Sequence, residues 1–527
     1  MKLLAVVVLL LGCDGGLTPP ELPAPPATVQ RLVPGALGLV GRTTSGCSTG
    51  IAKPGIGADV WCAFYRAGAQ TGTELWVLNV SRAAARPVAC DGSSPDCLRL
   101  TTNLWTGDPL FNASHPTIHG FEGDTLIIYA DASVAGVNDP YQGALKGWRP
   151  GWAAARTLTS PNGYLCHGNP SASVAHCLDN VQQKGKNYEL DLLAGSLAGA
   201  STGPLQKVAH IGTLGSRGQL MWGASFSPDG AWFLYSSPAD GEDTEVLRMA
   251  PTTDGGVGPS MEVRRGASRW QVAPDGKKLY LLDGYNYVDN APAGSLTMLD
   301  FPGLGGPAVL QPNVGSYAPL GTPGATEQGL AFLQDINKGN GTFRILRDRA
   351  QPAAAITVES GVNEFLVSPD LRFTFLAKPN PPNAPTSMVA SNQGRGSCVL
   401  QDGRAVYSQV FAPDGSVIYW AQDADNGFDI EGWYAPSDRC DERRRFSGNL
   451  AFLSAVRGGL VYAEGDPDLQ SMTLRFIPLD GAVLAEDRAI VVQPGIDLAL
   501  ARGGQRFVMF TMSKGEAPGL YAYGPLP

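Results

Sequence analysis

An all-β fold assembled from repeated four-stranded units is what this sequence predicts, and three observations carry the prediction. Gly (66) and Pro (41) make up about one residue in five of the 527, a density of turn formers that suits many short strands better than helical bundles. One turn string recurs, as Phe226-Ser227-Pro228-Asp229-Gly230, Val272-Ala273-Pro274-Asp275-Gly276, Val367-Ser368-Pro369-Asp370 and Phe411-Ala412-Pro413-Asp414-Gly415. Behind each string comes a segment rich in aromatic or β-branched residues, for example Trp232 to Tyr235 and Val417 to Trp420, as a buried strand requires.

The string has a physical reading. Pro presets φ for the first corner of a tight turn, Asp bonds its own backbone two residues on, and Gly accepts positive φ. The Asp residues at 229, 275, 370 and 414 are separated by 46, 95 and 44 positions, so the middle gap is two periods, with a degenerate turn at Ala325 to Gly329. The same step continues forward to Arg457-Gly458-Gly459 and Arg502-Gly503-Gly504. Backward it reaches Asn169-Pro170, Glu122-Gly123-Asp124 and Gly55 to Gly57. The count is about ten units, within two.

Inside a unit the order is strand, turn, strand, loop, strand, turn, strand, as in Trp270–Val272, Lys278–Leu282, Ser295–Leu299 and Ala308–Gln311. Four short strands in ~45 residues is the period of a propeller blade. The fold class is therefore a β-propeller of four-stranded blades over residues 28–527, read as one ring, with two smaller propellers as the alternative. The last unit lacks a fourth strand before Pro527, and the alternating segment Thr28 to Val33 has no unit of its own. It is expected to supply that strand and so remove an open edge.

The Ser/Ala-Pro-Asp-Gly turns, each followed by an aromatic-rich strand, resemble the TolB-type β-propeller repeat. The clear match covers four units, about 190 residues. The resemblance implies the fold. Its functional range spans binding platforms and substrate gates, and the chain departs from TolB in its N-terminal region, so no role in the Tol system is drawn from it.

The N-terminus reads Met1, Lys2, an apolar run Leu3 to Leu11, then Gly12 and Cys13. This run has the size of a signal-peptide core and falls short of the ~20 residues of a membrane-spanning helix. Leu10-Leu11-Gly12-Cys13 resembles the lipobox of bacterial lipoproteins. That resemblance implies cleavage of residues 1–12, acylation of Cys13, and attachment to the inner or outer membrane of a cell envelope through the lipid. Asp14 behind it resembles the inner-membrane retention signal of enteric bacteria, a rule that not all other lineages obey, so the choice of membrane stays open. Residues 13–27 hold five prolines between Pro19 and Pro26 and read as an extended tether.

Of nine Cys, removing Cys13 leaves eight, an even number that fits an oxidising compartment. Spacing suggests Cys47 with Cys62, Cys90 with Cys97, and Cys166 with Cys177. Cys398 and Cys440, 42 apart and so nearly one period, are left to join neighbouring units; other connectivities stay open. No Cys-x-x-Cys points to zinc.

A net charge of −9 without a basic stripe excludes nucleic acid as a partner. A serine-hydrolase elbow needs Gly-x-Ser-x-Gly, and Gly195-Ser196-Leu197-Ala198-Gly199 places its Ser wrongly. Four of the five His fall in two places, His115 and His119, then His167 and His176; His115, His119 and His167 are the candidate metal ligands, set against a reading of first-strand residues as polar groups satisfied within the blade. Asp423, Asp425 and Asp429 offer oxygen ligands to Ca²⁺ but sit where Asp240–Glu245 and Glu464–Asp468 sit in their units, and read as a solvated turn. Trp148 and Trp152 around Arg149-Pro150-Gly151 are a candidate surface patch for sugar or peptide. No catalytic residue and no cofactor is assigned. The expected function is a non-catalytic envelope scaffold binding a protein or a peptidoglycan-associated partner. The alternative is an envelope enzyme, a metal-dependent lyase or hydrolase working at the propeller channel.

Overall fold

The computed structural model describes residues 28–39, 46–48, 59–67, 73–104, 118–121, 127–130, 144–169, 172–184, 187–199, 203–212, 223–238, 245–288, 291–321, 327–379, 385–393, 396–402, 406–412, 416–422, 430–456, 458–466, 471–480, 483–484, 487–494, 498–503, 507–512 and 517–526. Cys13, the tether, His115, the turn residues Pro413, Asp414 and Gly415, and the acidic string 423–429 lie outside the described residues.

The regular structure of the described chain is almost entirely strand, ordered into nine antiparallel sheets. They span residues 36–104, 118–157, 163–212, 224–265, 267–362, 364–401, 406–447 and 450–494, with 498–524 joined by 28–34. In most sheets the strands follow one another in chain order, as in Glu364–Val367, Phe373–Lys378, Thr386–Ser391 and Ser397–Gln401; in the 224–265 and 450–494 sheets a two-residue strand and the strand after it both pair with the third strand. Each turn read from the sequence lies between the first and second strands of such a group.

The seven-stranded 267–362 sheet departs from the pattern in one respect. Its strand Ala308–Leu320 pairs through Ala308, Val309, Gln311 and Val314 with the strand before it and through Val314 and Ser316 to Leu320 with Gly329–Asn337, Val314 serving both. Asn313, next to this shared residue, takes a φ of +50°. One long strand thus ends one four-stranded group and begins the next.

Thr28–Pro34 pairs antiparallel with Gly519–Gly524, from Thr28 opposite Gly524 to Pro34 opposite Gly519. The N-terminal segment therefore supplies the fourth strand of the last sheet.

The turn strings fold as their chemistry demands. Ser227 Oγ donates to Asp229 Oδ1 (2.5 Å), which also accepts from the Ala231 amide (3.0 Å), and the Trp232 amide donates back to Ser227 Oγ (3.0 Å). Ser368 and Asp370 repeat this at 2.5 Å and 3.1 Å. Gly230 and Gly276 stand at φ +72° and +69°, and Leu371 holds the equivalent position at +60°, a left-handed conformation that only Gly adopts without steric cost.

Successive strand residues point to opposite faces, and here both faces are buried. On Lys278–Val288, Leu279 and Leu281 pack with Leu234, Leu247 and Met249 of the preceding sheet, while Tyr280 and Leu282 pack with Leu330 and Phe332 of the following group. Tyr419 faces Phe375 and Val389, and Ile418 faces Leu460 and Tyr462. Burial on both faces accounts for the continuous apolar runs of these strands. The same coupling joins the chain's ends: Phe507, Met509 and Leu520 share a core with Phe64, Trp76 and Leu78.

Gly230→Ala is expected to lower unfolding free energy by about 1 kcal/mol in urea titration, since Ala cannot take the positive φ freely. Val33, 2 % exposed on the N-terminal strand, gives a sharper test: Val33→Asp should cost about 3 kcal/mol by burying an unpaired carboxylate, and an unchanged midpoint would contradict the strand's place in the core.

Candidate functional site

The two ends of a four-stranded group differ. At one end lie the Pro-Asp-Gly turns and the links from third to fourth strand. The other end, where second and third strands connect, is where the first strands begin, and there the ladders are repeatedly broken. An extra residue stands in the first strand at Leu37, His119, Tyr164, Gly315, Tyr407 and Ala451. Arg269 and Trp270 interrupt another ladder between the Ser268–Leu282 and Gln271–Tyr280 pairs. Second strands carry further breaks at Asn180, Gly284 and Asp335, with φ of +50°, +62° and +57°. Bulges bend a strand and re-aim its side chains, and they concentrate at rims and functional sites.

At this bulged end the first strands are tied to one another. Trp270 Nε1 donates to Ser225 Oγ (3.2 Å), Arg269 Nη1 to the Gly315 carbonyl (2.9 Å), and Tyr317 Oη to the carbonyls of Arg269 and Tyr280 (the latter 2.8 Å). Leu37 stays 49 % exposed. Glu245 opens the strand Glu245–Thr253, and burial pushes its carboxyl up to about 7, so this group titrates near neutrality.

The predicted histidines separate. His119 lies in the strand Ile118–Phe121 and His167 in Gly163–Asn169, while His167 stands directly opposite His176, ring centroids 5.5 Å apart. Among the described residues no three His, Cys, Asp or Glu side chains gather as a metal site. His176 is buried against Phe226 and Phe233, at 5.9 Å and 5.8 Å, and its Nδ1 has no partner. Burial first, and repulsion from His167 second, push it down to about 3, so at neutral pH it is an uncharged ring in an aromatic core.

The Trp148 and Trp152 patch is a correction. Both are buried, at 0 % and 9 % exposure, because Trp148 packs edge-on against Trp61 and donates Nε1 to the Trp152 carbonyl (3.0 Å). The Arg156 guanidinium lies 3.9 Å from the Trp152 ring centroid. Gly/Pro-rich neighbours suggested a surface loop, and inter-sheet packing overrides them.

All four spacing-derived disulfides are formed: Cys47–Cys62, Cys90–Cys97, Cys166–Cys177 and Cys398–Cys440. Beside the last, at the turn end, is a cleft of about 440 Å³ lined by Arg372, Phe373, Ser391, Gln393, Cys398 and Ser437 among others. No sequence signal marks it, since it gathers turns from two units.

No known protein family and no curated protein matches the chain. Solved structures similar to it include a prolyl endopeptidase at 13 % identity and TM-score 0.32, aligned over 58 % of this chain and 50 % of that one. The chain thus spans half the length of that enzyme. An oligogalacturonate lyase from Vibrio parahaemolyticus aligns at 12 % identity and TM-score 0.31, over 58 % of this chain and 89 % of that one. The β-propeller domain of the trilobed protease from Pyrococcus furiosus aligns at 12 % and 0.30, over 61 % and 95 %.

Because the folded His176 binds its proton more weakly than an unfolded histidine of pKa ~6.5, stability is full above that pH. It is expected to fall as pH drops from ~6.5 towards ~3, by about 1 kcal/mol per pH unit. His176→Phe should remove that part of the slope while keeping stability at pH 7; equal slopes in native and variant chains between pH 6 and 4, read by urea midpoints, would rule the argument out.

Proposed function

We propose that the chain is a lipid-anchored β-propeller of the bacterial cell envelope whose bulged end is a non-catalytic binding surface for an envelope protein or peptidoglycan-associated partner. The carrying observation is the repeated bulging of the first strands at one end of the units, where side chains are re-aimed, against tight turns closed by their own hydrogen bonds at the other. A ring of ten blades is supported by the nine sheets, one of them divisible at Asn313, and by the core shared between last and first sheets.

The register of the N-terminal strand adds a direction. Gly524 ends its strand at the turn end, and Thr28 pairs with it. The tether of residues 13–27 thus leaves from the turn end and, extended, spans about 40 Å. With Cys13 acylated, the bulged end is turned away from the membrane, towards partners in the envelope.

Glu245, titrating near neutrality at the bulged end, favours the competing reading of an envelope enzyme at the channel. Loss of turnover or of ligand binding on chelation, with dependence on His115 or His167, would decide for a metal-dependent form of it.

The scaffold is tested by in-cell crosslinking and mass spectrometry. Crosslinks to one or two envelope proteins are expected in the native chain, lost in Cys13→Ser. Leu37→Arg at the bulged end should reduce them about tenfold through a steric and charged clash at the interface, and Lys277→Glu at the turn end should leave them intact. Crosslinks that survive both Cys13→Ser and Leu37→Arg would defeat the proposal.

A further inference from the structure

Three of the four disulfides staple residues of one sheet group. Cys166 and Cys177 are cross-strand partners, both fully buried; Cys62 and Cys97 are likewise fully buried, and Cys47 nearly so. Cys398–Cys440 is different. Cys398 lies on Ser397–Gln401, the outermost strand of the 364–401 sheet. Cys440 opens the short turn Cys440–Glu442, which links Ile430–Ala435 to Arg444–Ser447 in the next sheet. Among the described residues it is the one disulfide that joins two neighbouring sheets.

The two sulfurs are unequally placed. Cys440 is 1 % exposed. Cys398 is half-buried and lines the cleft of about 440 Å³ together with Phe373, Gln393, Ser437 and Asp438. The cleft is open enough to admit a small molecule or the tip of a protein loop. Besides the disulfide, the Cys440 turn meets the neighbouring sheet through an exposed hydrogen bond, Arg443 Nη1 to the Val399 carbonyl (3.2 Å), and through apolar packing of Cys440 with Phe375, Val389 and Leu400. The Arg439–Glu442 ion pair (2.9 Å) lies within the turn itself.

We propose that Cys398–Cys440 is a reduction site, opened through the cleft by a dithiol reductant, and that opening it releases the Cys440 turn from the neighbouring unit. A thiolate of the reductant bonds Cys398 Sγ as the Cys398–Cys440 bond breaks, and Cys440 leaves as a thiolate that takes a proton. The reductant's second thiol, deprotonated, then bonds the first and displaces Cys398 as a thiolate, which is protonated in turn. Two electrons pass from the dithiol, oxidised to a disulfide, to the protein, which ends with two thiols. Attack falls on Cys398 because access governs which sulfur is reached.

The test treats the native, oxidised full chain with limiting dithiothreitol, quenches with a maleimide at intervals, and reads labelled peptides by mass spectrometry. Cys398 and Cys440 are expected to be labelled about tenfold faster than Cys47, Cys62, Cys166 and Cys177, as access dictates. Cys90, half-buried but stapled within its own unit, is the internal comparator. Labelling of Cys90 and Cys97 first, or of all four pairs together, would overturn the assignment. Trypsin cleavage after Arg439 and Arg443 should rise several-fold on this partial reduction and, without reductant, in the Cys398→Ser/Cys440→Ser double variant. Selective opening with unchanged cleavage would overturn the release of the turn.

Discussion

A four-stranded antiparallel sheet whose strands are apolar on both sides needs a neighbour on each face, and that requirement organises the whole molecule. Leu281 and Tyr280 are adjacent in sequence, yet one completes a core with the sheet before and the other with the group after. No unit of this kind buries its apolar surface alone, so stability accumulates only as units stack. The first and last members of a linear stack would each leave one face and one edge open. Here the last sheet borrows its fourth strand from the N-terminus and packs Phe507 and Met509 against Phe64 and Trp76.

Polar side chains reinforce the same couplings. The Tyr280 hydroxyl donates its one proton to the Glu327 carboxylate, whose two oxygens lie 2.7 Å and 2.9 Å from Oη, and Arg349 Nη1 donates to both groups, at 2.8 Å and 2.9 Å. Burial holds the Glu327 carboxyl above its ordinary range even against Tyr280 and Arg349, which favour its charge. Such a buried pair adds little net stability over apolar packing, but losing one partner leaves an uncompensated charge. Its effect is to hold the second strand of one group to the loops of the next. Cys398–Cys440 ties a neighbouring pair of units covalently.

Division of labour between the two ends follows from the same architecture. The Pro-Asp-Gly end is made of short turns whose hydrogen bonds close on themselves, as at Ser227 and Asp229. At the bulged end ladders are broken, and residues such as Arg269 take positive φ while bridging to the next unit. Fourth strands also shift register against third strands, so what distinguishes the bulged end is that the first strands are re-aimed there.

The unit, its period, its turn chemistry, the N-terminal strand's role and the disulfide pairs were legible in the sequence. Each is local or periodic: Pro, Asp and Gly act over a few residues, and a repeat of ~45 positions shows itself by recurrence. Three features were decided by tertiary structure, because each depends on which surfaces meet. Trp148 and Trp152 sit among turn formers, yet contact with Trp61 and the Arg156 guanidinium buries them. His176 loses its charge to Phe226 and Phe233 of the next sheet, side chains some 50 positions away in the chain. The cleft at Cys398 joins turns of two units, and neither turn carries a sign of it. Local rules specify what each segment can become, while burial and its electrostatic consequences depend on long-range packing partners.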